Sequence, residues 1–225
     1  VLEAGIPVYV RNTFNPTCLG TRISRERDTE GGPVKGLTIA NDLALVEVQG
    51  TGMIGVPGTA ERVFGALREA SVSVVMIAQA SSEHSICCVV KAVDAERAGQ
   101  VLHATFAREI DAGLLQAVHV GKGISVLAAV GDGMAGHTGV ASRMFAELAR
   151  AEVNVRAIAQ GGTERNISVA IDGKDATRAL RAVHAGFYLS PQTLSIGVIG
   201  PGNVGAEFID QLAQVAPRLF GKSNL

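Results

Sequence analysis

Between residues 34 and 190 the chain is a succession of short apolar blocks, each closed by glycines or by a polar cluster. Residues 43–48 (LALVEV) alternate and predict a strand. The glycine-rich stretch that follows, up to Gly58, predicts a loop. Residues 59–70 place Val63, Phe64, Leu67 and Ala70 at helical spacing, with Pro57 suited to the helix entry. Residues 71–79 and 85–92 are rich in Val and Ile and predict two strands joined by the polar turn SSEH. Asp94 is a candidate N-cap for a helix ending near Phe106, with Ala98, Val101, Leu102 and Phe106 on one face. Residues 114–120 predict a closing strand. The order βαββαβ predicts an α+β, ferredoxin-like module: one antiparallel sheet carrying two helices on one face.

The pattern occurs twice. At an offset of 81, GTGMIGVPGTA from Gly50 matches GDGMAGHTGVA from Gly131, and IAQASSEHSI from Ile77 matches IAQGGTERNI from Ile158. Phe64, Leu67, Val72 and Val74 recur as Phe145, Leu148, Val153 and Val155, and HATF at 103–106 is echoed by HAGF at 184–187. Self-similarity of this extent means two copies of one unit. The second copy reads as strand 124–130, helix 140–151, strands 153–160 and 166–172, and helix 175–187. It has no closing strand of its own. The unassigned segment VKGLTI, residues 34–39, is expected to fill that edge, which makes copy one an insertion within copy two.

Composition narrows the function classes. The 225 residues suffice for one large domain or two small ones, and 47% hydrophobic with 18% charged residues describes a cored, globular chain. A net charge of −1 gives no footprint for nucleic acid or an anionic membrane. No apolar run approaches the roughly 20 residues of a bilayer span, and no signal pattern opens the chain. The cysteines Cys18, Cys87 and Cys88 are odd in number and two are adjacent, which fits a reducing cytosol rather than a disulfide framework. No Cys/His spacing suggests a metal site. A cytoplasmic location, without membrane or nucleic-acid partners, is the expectation.

The candidate chemistry sits in the repeated loop. Gly50, Gly52, Gly55 and Gly58, with their copies Gly131, Gly133, Gly136 and Gly139, strip side chains from the join between strand and helix. Backbone N–H groups and a helix N-terminus can then meet a carboxylate. The Gly-Lys-Ser/Thr of a P-loop is missing, and such a loop alone is more often a tight structural turn. Gln79 and Gln160 shift the balance. Each ends the second strand of its copy, near that loop, and an amide reads a hydroxyl, an ammonium or a carboxylate without a charge penalty.

These motifs in this order resemble the tandem ACT domains of aspartokinases, in particular those of the bifunctional aspartokinase–homoserine dehydrogenases. The flanks agree: GIPVYVRNTFNPTCLGTRIS (5–24) is similar to the end of that family's kinase domain, and LSIGVIGPGNVGAEFIDQLA (194–213) to the start of its dehydrogenase domain. The resemblance implies four parts: a kinase-domain end and linker (1–33), an edge strand plus first ACT domain (34–121), a second ACT domain (122–190) and the start of a Rossmann domain (191–225). It implies that Gln79 and Gln160 contact an amino-acid effector, usually threonine. Met53, Ile54, Gly55, Val56 and Gly58, and Met134, Ala135, Gly136 and Gly139, would supply backbone donors. Asp132 is the single acid within either loop, which favours threonine over lysine. It implies ATP with Mg and NAD(P) for the parent enzyme, no catalytic residue and no cofactor for this chain, and a homodimer or higher oligomer through ACT sheet edges.

Gly200, Gly202 and Gly205 form G-x-G-x-x-G after an apolar stretch and before a helical one, a dinucleotide signal on loan from the parent. The sequence reaches Leu225 about where the ribose-binding acid falls due, so nucleotide binding by this stretch is not expected. The plainer readings stand beside these. His84 and Arg165 are solvated turn residues, His103 and His184 are structural, Glu83 and Glu164 either anchor a partner chain or serve turn chemistry, and Cys87 and Cys88 pack in the sheet. The competing functions are an aspartokinase region that senses lysine or nothing, a piece of an NAD(P)-dependent oxidoreductase, and, lowest, an RNA-binding fold without the stacking aromatics that role needs.

Overall fold

The computed structural model describes residues 3–24, 32–79, 81, 84–189, 196–200 and 202–223. A two-stranded ribbon, β1 (Val8–Val10) and β2 (Thr21–Ile23), precedes the repeats. The first copy contributes β3 (Gly36–Gln49), α1 (Thr59–Glu69), β4 (Val74–Gln79), β5 (Ser85–Lys91), α2 (Ala95–Thr105) and the short α3 (Ala107–Asp111). The second contributes β6 (His119–Val130), α4 (Val140–Arg150), β7 (Val155–Gln160), β8 (Asn166–Asp172) and α5 (Ala176–Tyr188); α6 (Asn203–Ser223) follows.

The two copies build one six-stranded antiparallel sheet, in the order β4-β5-β3-β6-β8-β7. Its two central strands are long because each serves both copies. The first part of β3, Gly36 to Ala40, pairs with Val130 to Val126 of β6 and closes the second copy. Its later part, Leu43 to Gln49, pairs with β5 in the first copy. Conversely, His119 to Lys122 of β6 pairs with Glu47 to Ala44 and closes the first copy, while Ile124 to Val130 pairs with β8 in the second. The edge-strand expectation for residues 34–39 therefore holds, with pairing from Gly36 onward.

The hand-over points are irregular. The β3–β6 register shifts between Ala40 and Ala44, where Asp42 has φ 57°. Its repeat partner Gly123 has φ 74°. Both sit in the left-handed region, which lets a strand change partner without carrying its pleat across. The buried Ser125 hydroxyl donates to Asn41 Oδ1 at 2.8 Å and ties the two crossings together.

Several boundaries differ from the sequence reading. Of the expected closing strand 114–120, only His119 and Val120 are extended in the sheet; Leu114 and Leu115 are instead pinned to the loop, where Leu114 C=O accepts from Gly52 N–H at 2.8 Å. The strands expected from 71 and 153 start at Val74 and Val155, because Ser71 and Glu152 take left-handed turns, with φ 54° and 53°, after their helices. Asp94 makes no side-chain cap; its carboxylate pairs with Arg97 instead. Residues 196–200 form no strand: no described neighbouring strand offers them hydrogen bonds, although the helix expected after them forms as α6. Residues 194–195, and the linker 25–31, lie outside the described residues.

Three cores hold the fold. Val63 and Leu67 of α1 and Ala98 and Leu102 of α2 pack on Val46, Val48, Cys88 and Val90. Met144 and Leu148 of α4 and Ala179 and Val183 of α5 pack on Leu127, Val169 and Ile171. The sheet's other face is also buried: Leu43, Leu45, Met76, Cys87, Val89, Ile124, Val126 and Ala170 form a core drawn from both copies. Sheet twist lets edge strands β4 and β7 come into contact, so this face curls over itself rather than meeting solvent. Each fully buried Leu contributes about 1.5–3 kcal/mol, which makes the shared face a sizeable bond between the copies.

Candidate functional site

Both copies form a cavity where sequence reading placed one. In each, the first strand of the copy runs into a glycine loop with a single 3₁₀ turn, Thr51–Met53 or Asp132–Met134. The glycines at its start are required by close approach. A Cβ on Gly50 would lie 2.5 Å from Leu114 O, and one on Gly131 only 2.2 Å from Pro33 O. Gly58 and Gly139 stand just before α1 and α4 at φ 87° and 88°, a conformation that admits few other residues and turns the loop into the helix. The start of the helix then lines one cavity with the end of β4 or β7, where the Gln stands, while the N–H groups of Met53, Ile54 and Val56, and of Met134 and His137, are bonded within the loop itself.

The first cavity, about 300 Å³, is lined by Met53, Gly55, Val56, Pro57, Gly58, Thr59, Ala60, Gln79 and Ile86. The second, about 320 Å³, is lined by Met134, Gly136, His137, Thr138, Gly139, Val140, Ala141, Gln160, Glu164 and Ile167. The structure thus brings together Met53, Gly55, Val56, Gly58 and Gln79, and Met134, Gly136, Gly139 and Gln160. It leaves Ile54 and Ala135 out of the lining, because the turn after Met53 and Met134 carries them away. Sequence reasoning missed Ile86 and Ile167, whose place follows from strand pairing: Gln79 faces Ile86 across β4–β5 and Gln160 faces Ile167 across β7–β8.

It also missed Glu164 as a lining residue. The Glu164 carboxylate accepts a hydrogen bond from Gly136 N–H at 2.7 Å, so the turn after β7 is stapled onto the loop. Two further contacts join the same segments: Gly131 N–H donates to Arg165 C=O at 2.9 Å, and Arg165 Nε lies 3.2 Å from Asp132 Oδ1. Asp132 is therefore committed to an ion pair and is absent from the cavity lining. The counterpart of Glu164, Glu83, lies outside the described residues.

Other titratable groups have structural environments. Burial raises Cys87 from 9.0 to about 11, with the Glu47 charge adding to it, and raises Cys88 to about 12. Neither is a nucleophile near neutral pH. Among the described residues no group of three or more His, Cys, Asp or Glu could hold a metal ion, and no helix is long and apolar enough to cross a membrane. Gly200 (φ 76°) and Gly202 form a turn at the start of α6, with Gly202 N–H donating to Gly200 C=O at 2.8 Å.

The profile of the ACT domain matches residues 46–106 and 127–187. The two stretches make up more than half of the chain and coincide with the two repeats. The chain belongs to the ACT domain family. A bifunctional aspartokinase/homoserine dehydrogenase of Daucus carota is 46% identical over 232 residues, covering 100% of this chain and 25% of that protein. The Haemophilus influenzae protein of the same description is 39% identical over 223 residues, covering 99% of this chain and 27% of its own. The chain thus spans about a quarter of the length of the curated relatives it matches. The crystal structure of the regulatory subunit of aspartate kinase from Thermus flavus superposes with a TM-score of 0.61 at 30% identity, covering 69% of this chain and 99% of that one. Within the ACT family, this tandem unit is therefore of the aspartate kinase regulatory type. The plant relatives are described as chloroplastic, so the family is not confined to the cytoplasm that the cysteine pattern suggested.

Proposed function

We propose that this ACT pair is the amino-acid-sensing region of a bifunctional aspartokinase–homoserine dehydrogenase, with threonine as its effector. The observation that carries the proposal is the pair of cavities of about 300 and 320 Å³, each bringing together a glycine loop, a helix start and a strand-end Gln. The amides at the helix start and the partial positive charge there suit the effector carboxylate. The Gln amide suits a hydroxyl. ATP with Mg and NAD(P) belong, on this reading, to catalytic domains of the parent outside this chain.

Effector binding inhibits distant catalysis only by preferring one quaternary state, and a tenfold preference is worth about 1.4 kcal/mol. A homo-oligomer fits that requirement. Edge strands β4 and β7 carry Ile77 and Ile158, 48% and 50% exposed, beside the cavities. Titration calorimetry on the chain should give heat with threonine; binding of lysine but not threonine would reject the assignment. Light scattering at high concentration should give at least a dimer, and a monomer would reject the interface.

A further inference from the structure

The geometry points to Glu164 as the residue of the second cavity that reads the α-ammonium of the bound amino acid. This rests on the effector reading above and goes beyond it, because the helix start and Gln account for the carboxylate and side chain but leave the ammonium unmatched. Among the described residues, Glu164 is the one acid in that cavity's lining. Its position is held from several sides. Gly136 N–H donates to its carboxylate at 2.7 Å. Its own N–H donates to Gly161 C=O at 2.9 Å, and the next carbonyl, of Arg165, accepts from Gly131 N–H. Its backbone is left-handed, at φ 55°, a sparsely populated state for a Glu that persists only when the surroundings impose it.

The alternative role, a clamp that only shapes the loop, uses the same hydrogen bond, so the two must be separated by charge. Glu164→Gln keeps an oxygen to accept from Gly136 N–H and removes the negative charge. A clamp would tolerate that exchange or would weaken every ligand alike. An ammonium reader would weaken only ligands that carry the ammonium.

The test uses threonine and its des-amino analogue, 3-hydroxybutyrate, titrated into the chain and its Glu164→Gln variant. Binding at the second cavity is followed through the amide signals of Gly136 and Gly139. Threonine affinity there should fall about tenfold or more in the variant, while the analogue binds the variant as tightly as it binds the unmodified chain, or tighter. Equal weakening of both ligands, or no change in either, overturns the assignment. Absence of threonine binding to the unmodified chain overturns the effector reading itself, and is distinguishable because it appears before any substitution is made.

Discussion

The first and second copies share a backbone and differ in what they present to a ligand. Gly55 and Gly136 have φ of 67° and 70°, and Gly58 and Gly139 of 87° and 88°. Six lining positions are identical between the cavities: Met, three small residues, Gln and Ile. Three lining positions change: Val56 and Pro57 at the loop tip of the first cavity become His137 and Thr138 of the second, and Thr59 at the helix start becomes Val140. Proline lacks an N–H, so the second loop holds one more backbone donor, a hydroxyl and an imidazole. A further difference lies on the second helices. Gly99 of α2 stands where α5 has Leu180, and α2 is bordered by an open groove of about 760 Å³ over Val118 and Val120. The repeat thus keeps the glycines that shape the loop and the Met, Gln and Ile that line the cavity, and varies the loop tip and one outer helix face.

The strongest test of the likeness is in the cores. Leu67→Ala and Leu148→Ala, at repeat-equivalent sites each 1% exposed, should each cost about 2–5 kcal/mol in urea unfolding. Both variants should still unfold in one transition, because the copies share a sheet and a third core. A separate early transition for either copy would break the joint-sheet picture. Next, Gly50→Ala and Gly131→Ala should cost about 1–3 kcal/mol each, since a Cβ meets the backbone of a neighbouring segment. Gly131 should be the worse, its Cβ lying 2.2 Å from Pro33 O against 2.5 Å from Leu114 O at Gly50. Thermal melts would show the ranking, and the reverse order would refute it.

The thiols distinguish the copies by pH. Cys87 and Cys88 of the first correspond to Ser168 and Val169 of the second. An unfolded thiol ionises near 9.0, whereas burial holds the folded pair at about 11 and about 12. The unfolded chain therefore releases protons that the folded one keeps, so stability is full below pH 9.0 and falls as pH rises above it. Grafting the second copy's residues, Cys87→Ser with Cys88→Val, should flatten that fall in denaturation curves taken from pH 8 upward. A smaller effect is expected at the amides. Gln79→Ala and Gln160→Ala each remove one hydrogen bond, and each should weaken threonine at its own cavity about twofold to tenfold by calorimetry. Unchanged affinity in both would remove their role. The smallest is Asp132→Asn. Its ion pair with Arg165 is exposed on both sides, and breaking it should cost at most about 1 kcal/mol of stability.

The elements and their repeat could be read from the chain, because strand alternation and helical spacing are local patterns and the 81-residue offset doubles each signal. The cavities could be read in outline for the same reason: glycine loop and Gln are marked by type and by recurrence. What escaped reading depended on contacts far apart in sequence. Ile86 and Ile167 enter the lining through strand register. Glu164 enters through a turn folded back onto a loop 28 residues away, and Asp132 leaves through an ion pair made by the same turn. Ile54 and Ala135, implied by the family resemblance, are absent from the lining because a single 3₁₀ turn carries them elsewhere.

By itself, the order of apolar and polar residues determined two βαββαβ units, the insertion of one in the other, and a glycine loop beside a Gln in each. Periodicity and glycine placement suffice for that, since they constrain the backbone residue by residue. Only the tertiary structure decided that the units share one sheet through two long strands. It also decided that their outer faces meet as a third core, and which acid of the second copy reaches the cavity. Those outcomes depend on sheet twist, strand register and the meeting of distant turns, which no local pattern of residues encodes.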